Sequence, residues 1–234
     1  MTPSRKSPAF WGFDDLALFL AAILPAWLIG VLLIRLGRAV APGAFSNNAV
    51  RALVFQSAIY ALLVGALYLV IQSRYRRPFW QSMGWVAPER GAWWCVFGGP
   101  ALAIVLSILD LALRTPAIPT PVESLISGRG SLLLVAFFAV VLGPLFEELL
   151  FRGFFQPLLA RALGVWPAIL LAAAGFALLH GQEYQWVWQQ LLVVGLAGAA
   201  FGYARYKTGS TAAAALLHGG YNLTFFVGYV IQSR

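Results

Sequence analysis

The stretch VVLGPLFEELLFRGFF, residues 140–155, lies inside a long apolar run yet carries Glu147, Glu148 and Arg152. Insertion scales put the cost of one charged side chain at a bilayer centre at about 2.5–3.5 kcal/mol. Three ionisable groups so close together need a compensation. Four-residue spacing puts Glu148 and Arg152 on one helix face, where they can pair. Glu147 lies about 100° away around the same helix and has no such local partner. A carboxylate left alone in an apolar site is a candidate general base. The plainer alternative is a structural ion pair at a span end, with both glutamates reaching for water.

Working outward, the chain is 61% hydrophobic and only 10% charged, where soluble domains carry roughly a quarter charged residues. The fold class expected is all-α, a polytopic transmembrane helical bundle. The net charge of +8 does not point to nucleic acid. Lys and Arg are scattered at the ends of apolar runs rather than gathered on one face, and that is the distribution membrane topology requires. The single cysteine, Cys95, sits in an apolar run and reads as a packing residue, with no internal disulfide and no CxxC motif. The first apolar run lacks a small-residue cleavage site and is long enough to remain as a span.

Hydropathy predicts seven spans, near residues 16–34, 49–71, 93–113, 131 through the glutamates, 166–180, 186–203 and 211–231. The Pro- and Gly-rich linker of residues 114–130 reads as an extramembrane loop. It divides an N-terminal three-span region (residues 1–130) from a C-terminal core (residues 131–234). With the N-terminus inside, Arg5, Lys6, Arg74, Arg76, Arg77, Arg90, Arg152, Arg161, Arg205 and Lys207 fall inside. Arg35, Arg38, Arg51, Arg114, Arg129 and Arg234 then fall outside. That bias favours a cytoplasmic N-terminus. Tryptophans 80, 85, 93, 94, 166, 186 and 188 read as an interfacial belt.

Polar residues deeper in the apolar runs can be placed by depth. Pro157 and the Gly164–Pro167 segment suggest a helix that continues past Arg152 and turns back. Glu147 is 17 residues before Gly164 and His180 is 16 after it, so in an antiparallel pair they meet at similar depth. The last span starts on the same side and brings in His218 and Asn222, four apart on one face. Phe176 and His180 share a face in the same way. Gly219 and Gly220 allow close backbone approach. Taken singly, His180 is more often structural and Asn222 is an ordinary interhelical hydrogen bond. Together, one carboxylate, two imidazoles and one amide at matched depth form a candidate site. Asp110 falls near the opposite side and is left out of it. Gln56, Gln189 and Gln190 read as helix–helix hydrogen bonds.

Three motifs now stand in order: EELLFR (147–152) as EExxxR, FALLH (176–180) as FxxxH, and HGGYN (218–222) as HxxxN. Over Ser131–Asn222 the chain resembles the CPBP family, which comprises the Rce1-like CAAX prenyl proteases and the bacteriocin-processing or bacteriocin-immunity intramembrane proteases. The resemblance implies an all-helical intramembrane endopeptidase with a cavity open to the cytosol. It assigns catalysis to Glu147, His180, His218 and Asn222, with Glu148 and Arg152 in support. Many members have eight spans; here only 12 residues follow Asn222, so seven are counted.

The chemistry implied is peptide hydrolysis by a water activated by Glu147, with His218 and Asn222 donating to the oxyanion. No cofactor is certain. The metal alternative is zinc held by Glu147, His180 and His218 with a water in the fourth position. Asn222, a poor zinc ligand and a good oxyanion donor, favours the metal-free form. The partners implied are the lipid bilayer and a membrane-anchored peptide or protein substrate, with no nucleic acid. The location implied is a bacterial inner membrane. The rival classes are a proton-coupled transporter, for which the expected internal repeats are missing, and a contact-acting scaffold or immunity protein.

Overall fold

The computed structural model describes residues 9–88, 92–119 and 124–232, with side chains from residue 94 onward in the second segment. Arg5, Lys6, Arg90, Arg234, the Trp93 side chain and part of the 114–130 linker lie outside the described residues. Every regular element among those described is helical, as expected of an all-α bundle. Helix α1 spans Phe13–Val40 with a break at Ala22, and α2 spans Asn48–Tyr75. The short α3 is Phe79–Ser82, and α4 is Ala92–Ala112. Helix α5, Arg129–Leu163, is the longest at 35 residues. Helices α6 (Val165–Leu179), α7 (Trp188–Thr208) and α8 (Thr211–Gln232) complete the chain.

Helices α1, α2, α4, α5 and α8 are long and apolar enough to cross a membrane. The seven spans expected from hydropathy thus become five by that measure, plus the antiparallel hairpin of α6 and α7. Helix α6 has 15 residues, a rise of about 22 Å against the roughly 30 Å of a hydrocarbon core. Helix α7 is long enough but carries Gln189, Gln190, Arg205 and Lys207. Its apolar face points inward: Ala197, Phe201 and Ala204 are buried. By contrast only 17% of the α1 apolar window is buried inside the protein. Leu24, Leu28 and Leu32 of α1 stand exposed, as side chains that face lipid must.

Local chemistry sets the boundaries. The Asn47 side chain caps α2 by accepting from the Ala49 and Val50 amides, the preferred N-cap arrangement. Gly164 (φ 85°) turns α5 into α6, and Gly209 (φ 69°) closes α7 before α8. Both sit in the left-handed region that glycine enters without strain.

Two apolar clusters flank the centre. One joins α1, α2 and α5 around Trp11, Leu67, Ile71 and Phe154. The other joins α4, α7 and α8 around Cys95, Phe201, Ala213 and Ala214, so Cys95 is the packing residue its setting suggested. The two glycines of HGGYN serve two different neighbours. A Cβ on Gly219 would come within 2.7 Å of the Val140 carbonyl on α5. Gly220 lies against Val96, Gly99 and Pro100 on α4, and a Cβ on Gly99 would meet the α8 backbone at 2.6 Å. Helix α8 is thereby held backbone to backbone between α4 and α5, which fixes the height of His218 and Asn222 relative to the glutamates.

Candidate active site

Helix α5 is not a regular α-helix at the site. Phe138–Leu142 and Leu149–Phe155 are wound as π-helix on either side of the α-helical Gly143–Glu148. Such wider turns carry fewer i→i+4 bonds and are frequent at functional positions. Here one offers a backbone acceptor sideways: Asn222 Nδ2 on α8 donates to the Ala139 carbonyl at 2.7 Å.

The two adjacent glutamates face different surroundings. Glu148 is fully buried, and its Oε1 accepts from Arg152 Nη1 at 2.8 Å and from His218 Nδ1 at 2.9 Å. The Glu148–Arg152 pair expected from i,i+4 spacing is present. Arg152 also donates through Nη2 to the Gly198 carbonyl on α7 at 2.6 Å. Its guanidinium lies over the rings of Phe176 (4.9 Å) and Phe201 (5.4 Å). A Cβ on Gly198 would approach Arg152 Nη2 at 3.2 Å, so glycine leaves the guanidinium its seat. The Phe of the FALLH motif thus serves the ion pair as well as the helix face of His180.

Glu147 keeps 17% of its side chain exposed. Its Oε1 accepts from the Tyr60 hydroxyl on α2 at 2.7 Å, and its Oε2 lies 3.9 Å from His218 Nε2. Since the Glu148 carboxylate accepts, His218 carries its hydrogen at Nδ1 and turns Nε2 toward Glu147. The imidazole is held flat against Phe201, with ring centres 4.4 Å apart and planes 18° from parallel. His180 sits at the C-terminal cap of α6. Its Nδ1 lies 2.8 Å from the Phe176 carbonyl, so that nitrogen is the donor and Nε2 is the free one.

Glu147, His180, His218 and Asn222 all line one cavity of about 500 Å³. The structure thus brings these four sequence-predicted residues to one cavity. Glu148 and Arg152 stand behind that wall. Asp110, set aside on depth, lines the same cavity together with Glu183 and Tyr184. The cavity follows α8 from His218 to Tyr229, about 16 Å of helical rise, and so reaches the depth of Asp110. A second groove of about 550 Å³ lies between α4 and α8, and none of the candidate residues lines it.

Among the described residues no three His, Cys, Asp or Glu side chains are grouped to hold one ion. His218 gives Nδ1 to Glu148 and turns Nε2 to the cavity, an orientation that suits a water or a metal ligand alike. Sequence reasoning missed three parts of the site: Tyr60, Gly198 and Phe201. Each lies on a helix other than α5, and its spacing to the motifs carries no signal.

Residues 129–224 match the model of the family described as Rce1-like, type II CAAX prenyl endopeptidases. The match bears out the resemblance and places this segment of the chain in that family. It contains Glu147, Glu148, Arg152, His180, His218 and Asn222, and excludes Tyr60 and Asp110. No curated protein and no solved structure matched the chain. The chain thus carries an Rce1-like segment within a multi-pass membrane protein whose described residues include five helices long and apolar enough to span.

Proposed function

We propose that this protein is an intramembrane endopeptidase that hydrolyses a peptide bond of a membrane-associated peptide or protein. The observation that supports it most is the convergence of Glu147, His180, His218 and Asn222, from three helices, on one cavity. In this reading Glu147 removes a proton from a water held between its Oε2 and the two imidazoles. The water oxygen bonds to the scissile carbonyl carbon, and the carbonyl π pair moves onto oxygen. His218 through Nε2–H, in its doubly protonated form, and Asn222 through its remaining amide hydrogen donate to that oxyanion. One such donor in a preorganised site is worth roughly 3 kcal/mol. The C–N bond then breaks and Glu147 passes its proton to the departing amine. No step is assigned to a metal.

The site opens to the cytosol if the N-terminus is cytoplasmic, as the Lys and Arg distribution favours. A bacterial inner membrane and a substrate carrying a leader or C-terminal sorting signal fit this reading. The cavity wall carries Asp110, Glu147 and Glu183 and, among the described residues, no Lys or Arg. Such a wall favours a peptide bond within a chain, or one beside a basic residue, over a bond next to a free C-terminal carboxylate.

The test compares purified wild type with Glu147→Gln on a panel of membrane-anchored peptides, with and without chelator. Cleavage by wild type alone that survives chelation supports the metal-free route. Loss on chelation with recovery on added zinc shows a metal requirement. Function in cells that persists in Glu147→Gln favours the contact-acting scaffold.

A further inference from the structure

We infer that Tyr60, on a helix outside the family-matched segment, is a positioning residue for Glu147. The inference rests on the protease reading above. Tyr60 lies in the middle of α2, far in sequence from every motif residue, and residues 129–224 carry the whole family match. Its hydroxyl donates to Glu147 Oε1 at 2.7 Å. Its ring is clamped on two sides by α5. Phe138 lies parallel to it at 6.2 Å and 4°, and Phe146 is tilted against it at 5.4 Å. The phenol is therefore fixed in place before it bonds the carboxylate.

The consequence is a division of labour between the two carboxylate oxygens. With Oε1 held by Tyr60, the carboxylate plane is set, and Oε2 is the oxygen turned toward His218 Nε2. A general base acts only if its basic oxygen sits within reach of the water it deprotonates. A glutamate has three side-chain torsions, and without Tyr60 the described residues give Glu147 no other hydrogen-bond donor that would choose among them. Tyr60 thus makes one rotamer of Glu147 the resident one. Because the contact bridges α2 and α5, the N-terminal region completes the site rather than merely anchoring it.

The experiment is kinetic and thermodynamic, on the full chain in detergent. Tyr60→Phe keeps the ring in its clamp and removes only the donor. It should lower kcat by roughly tenfold to a hundredfold, the range for a lost hydrogen bond to a charged group, with KM unchanged. The thermal midpoints of Tyr60→Phe, Glu147→Ala and the double variant should be non-additive, with Tyr60→Phe having little effect once Glu147 is gone. If Tyr60→Phe does not fold, Phe138→Leu takes its place: it keeps the hydroxyl, loosens the ring, and should lower kcat by a smaller factor at constant KM. A kcat within twofold of wild type, a change confined to KM, or additive midpoints would overturn the proposal. Absence of any Glu147-dependent cleavage by wild type instead sinks the protease reading, and the midpoints alone then decide whether Tyr60 holds Glu147.

Discussion

Glu147 and Glu148 are neighbours in one helix, yet the two sides of α5 on which they sit are built to opposite ends. On one side Glu148 is sealed in, with a cation, an imidazole and two aromatic rings closing around its partner. On the other, Glu147 keeps partial exposure, a single phenolic donor and a 500 Å³ cavity. The contrast teaches that an intramembrane charge is made inert or available by what the neighbouring helices bring to it, not by its own depth. Glu148 Oε2 and Arg152 Nε have no hydrogen-bond partner among the described residues. The buried pair is thus better understood as a rigid support for His218 than as a large source of stability.

The largest effect should come from breaking the sealed side. Arg152→Ala leaves the Glu148 carboxylate buried and uncompensated, and loss of one partner of a buried pair costs about 3–5 kcal/mol. Thermal unfolding in detergent should show a large drop in midpoint or no folded protein at all. On the open side, Glu147→Gln should cut the cleavage rate by roughly 10²–10⁴-fold, the range for a lost general base, with the midpoint close to that of wild type. Asn222→Ala should lower kcat by about 10²-fold through the lost oxyanion donor; steady-state rates on one anchored peptide check both.

Gly219→Ala sharpens the comparison from a third direction. The added methyl meets the Val140 carbonyl, a backbone atom that cannot swing away. Overpacking of that kind costs about 1–3 kcal/mol and pushes α8 away from α5, so midpoint and rate should fall together. The smallest effect should be in substrate charge. Moving a Lys next to the scissile bond should raise kcat/KM by a few-fold relative to Glu there, and Asp110→Asn should narrow that preference.

Much of this was legible in the residues alone. The Glu148–Arg152 pair follows from i,i+4 spacing, and residue counts about Gly164 bring together Glu147 and His180, which both line one cavity. What was not legible is tertiary. Tyr60 reaches Glu147 from a helix 87 positions away, and no pattern within α2 distinguishes it from a lipid-facing tyrosine. Phe201 and Gly198 serve His218 and Arg152 from α7, whose mixed polarity hides which face is inward. Asp110 was judged by depth alone, but the cavity is elongated along α8, so a residue at another depth still lines it. Five helices meet both the length and the hydropathy of a span; α6 falls short in length and α7 in hydropathy.

The account's central claim is that Glu147 acts and Glu148 supports. Its most direct test is to measure, on the same membrane-anchored peptide, the cleavage rate and the thermal midpoint of Glu147→Gln beside those of Glu148→Gln. The account predicts a Glu147→Gln protein that unfolds like wild type and does not cut, and a Glu148→Gln protein with a lowered midpoint. A well-folded Glu147→Gln protein that cuts at the wild-type rate would contradict it.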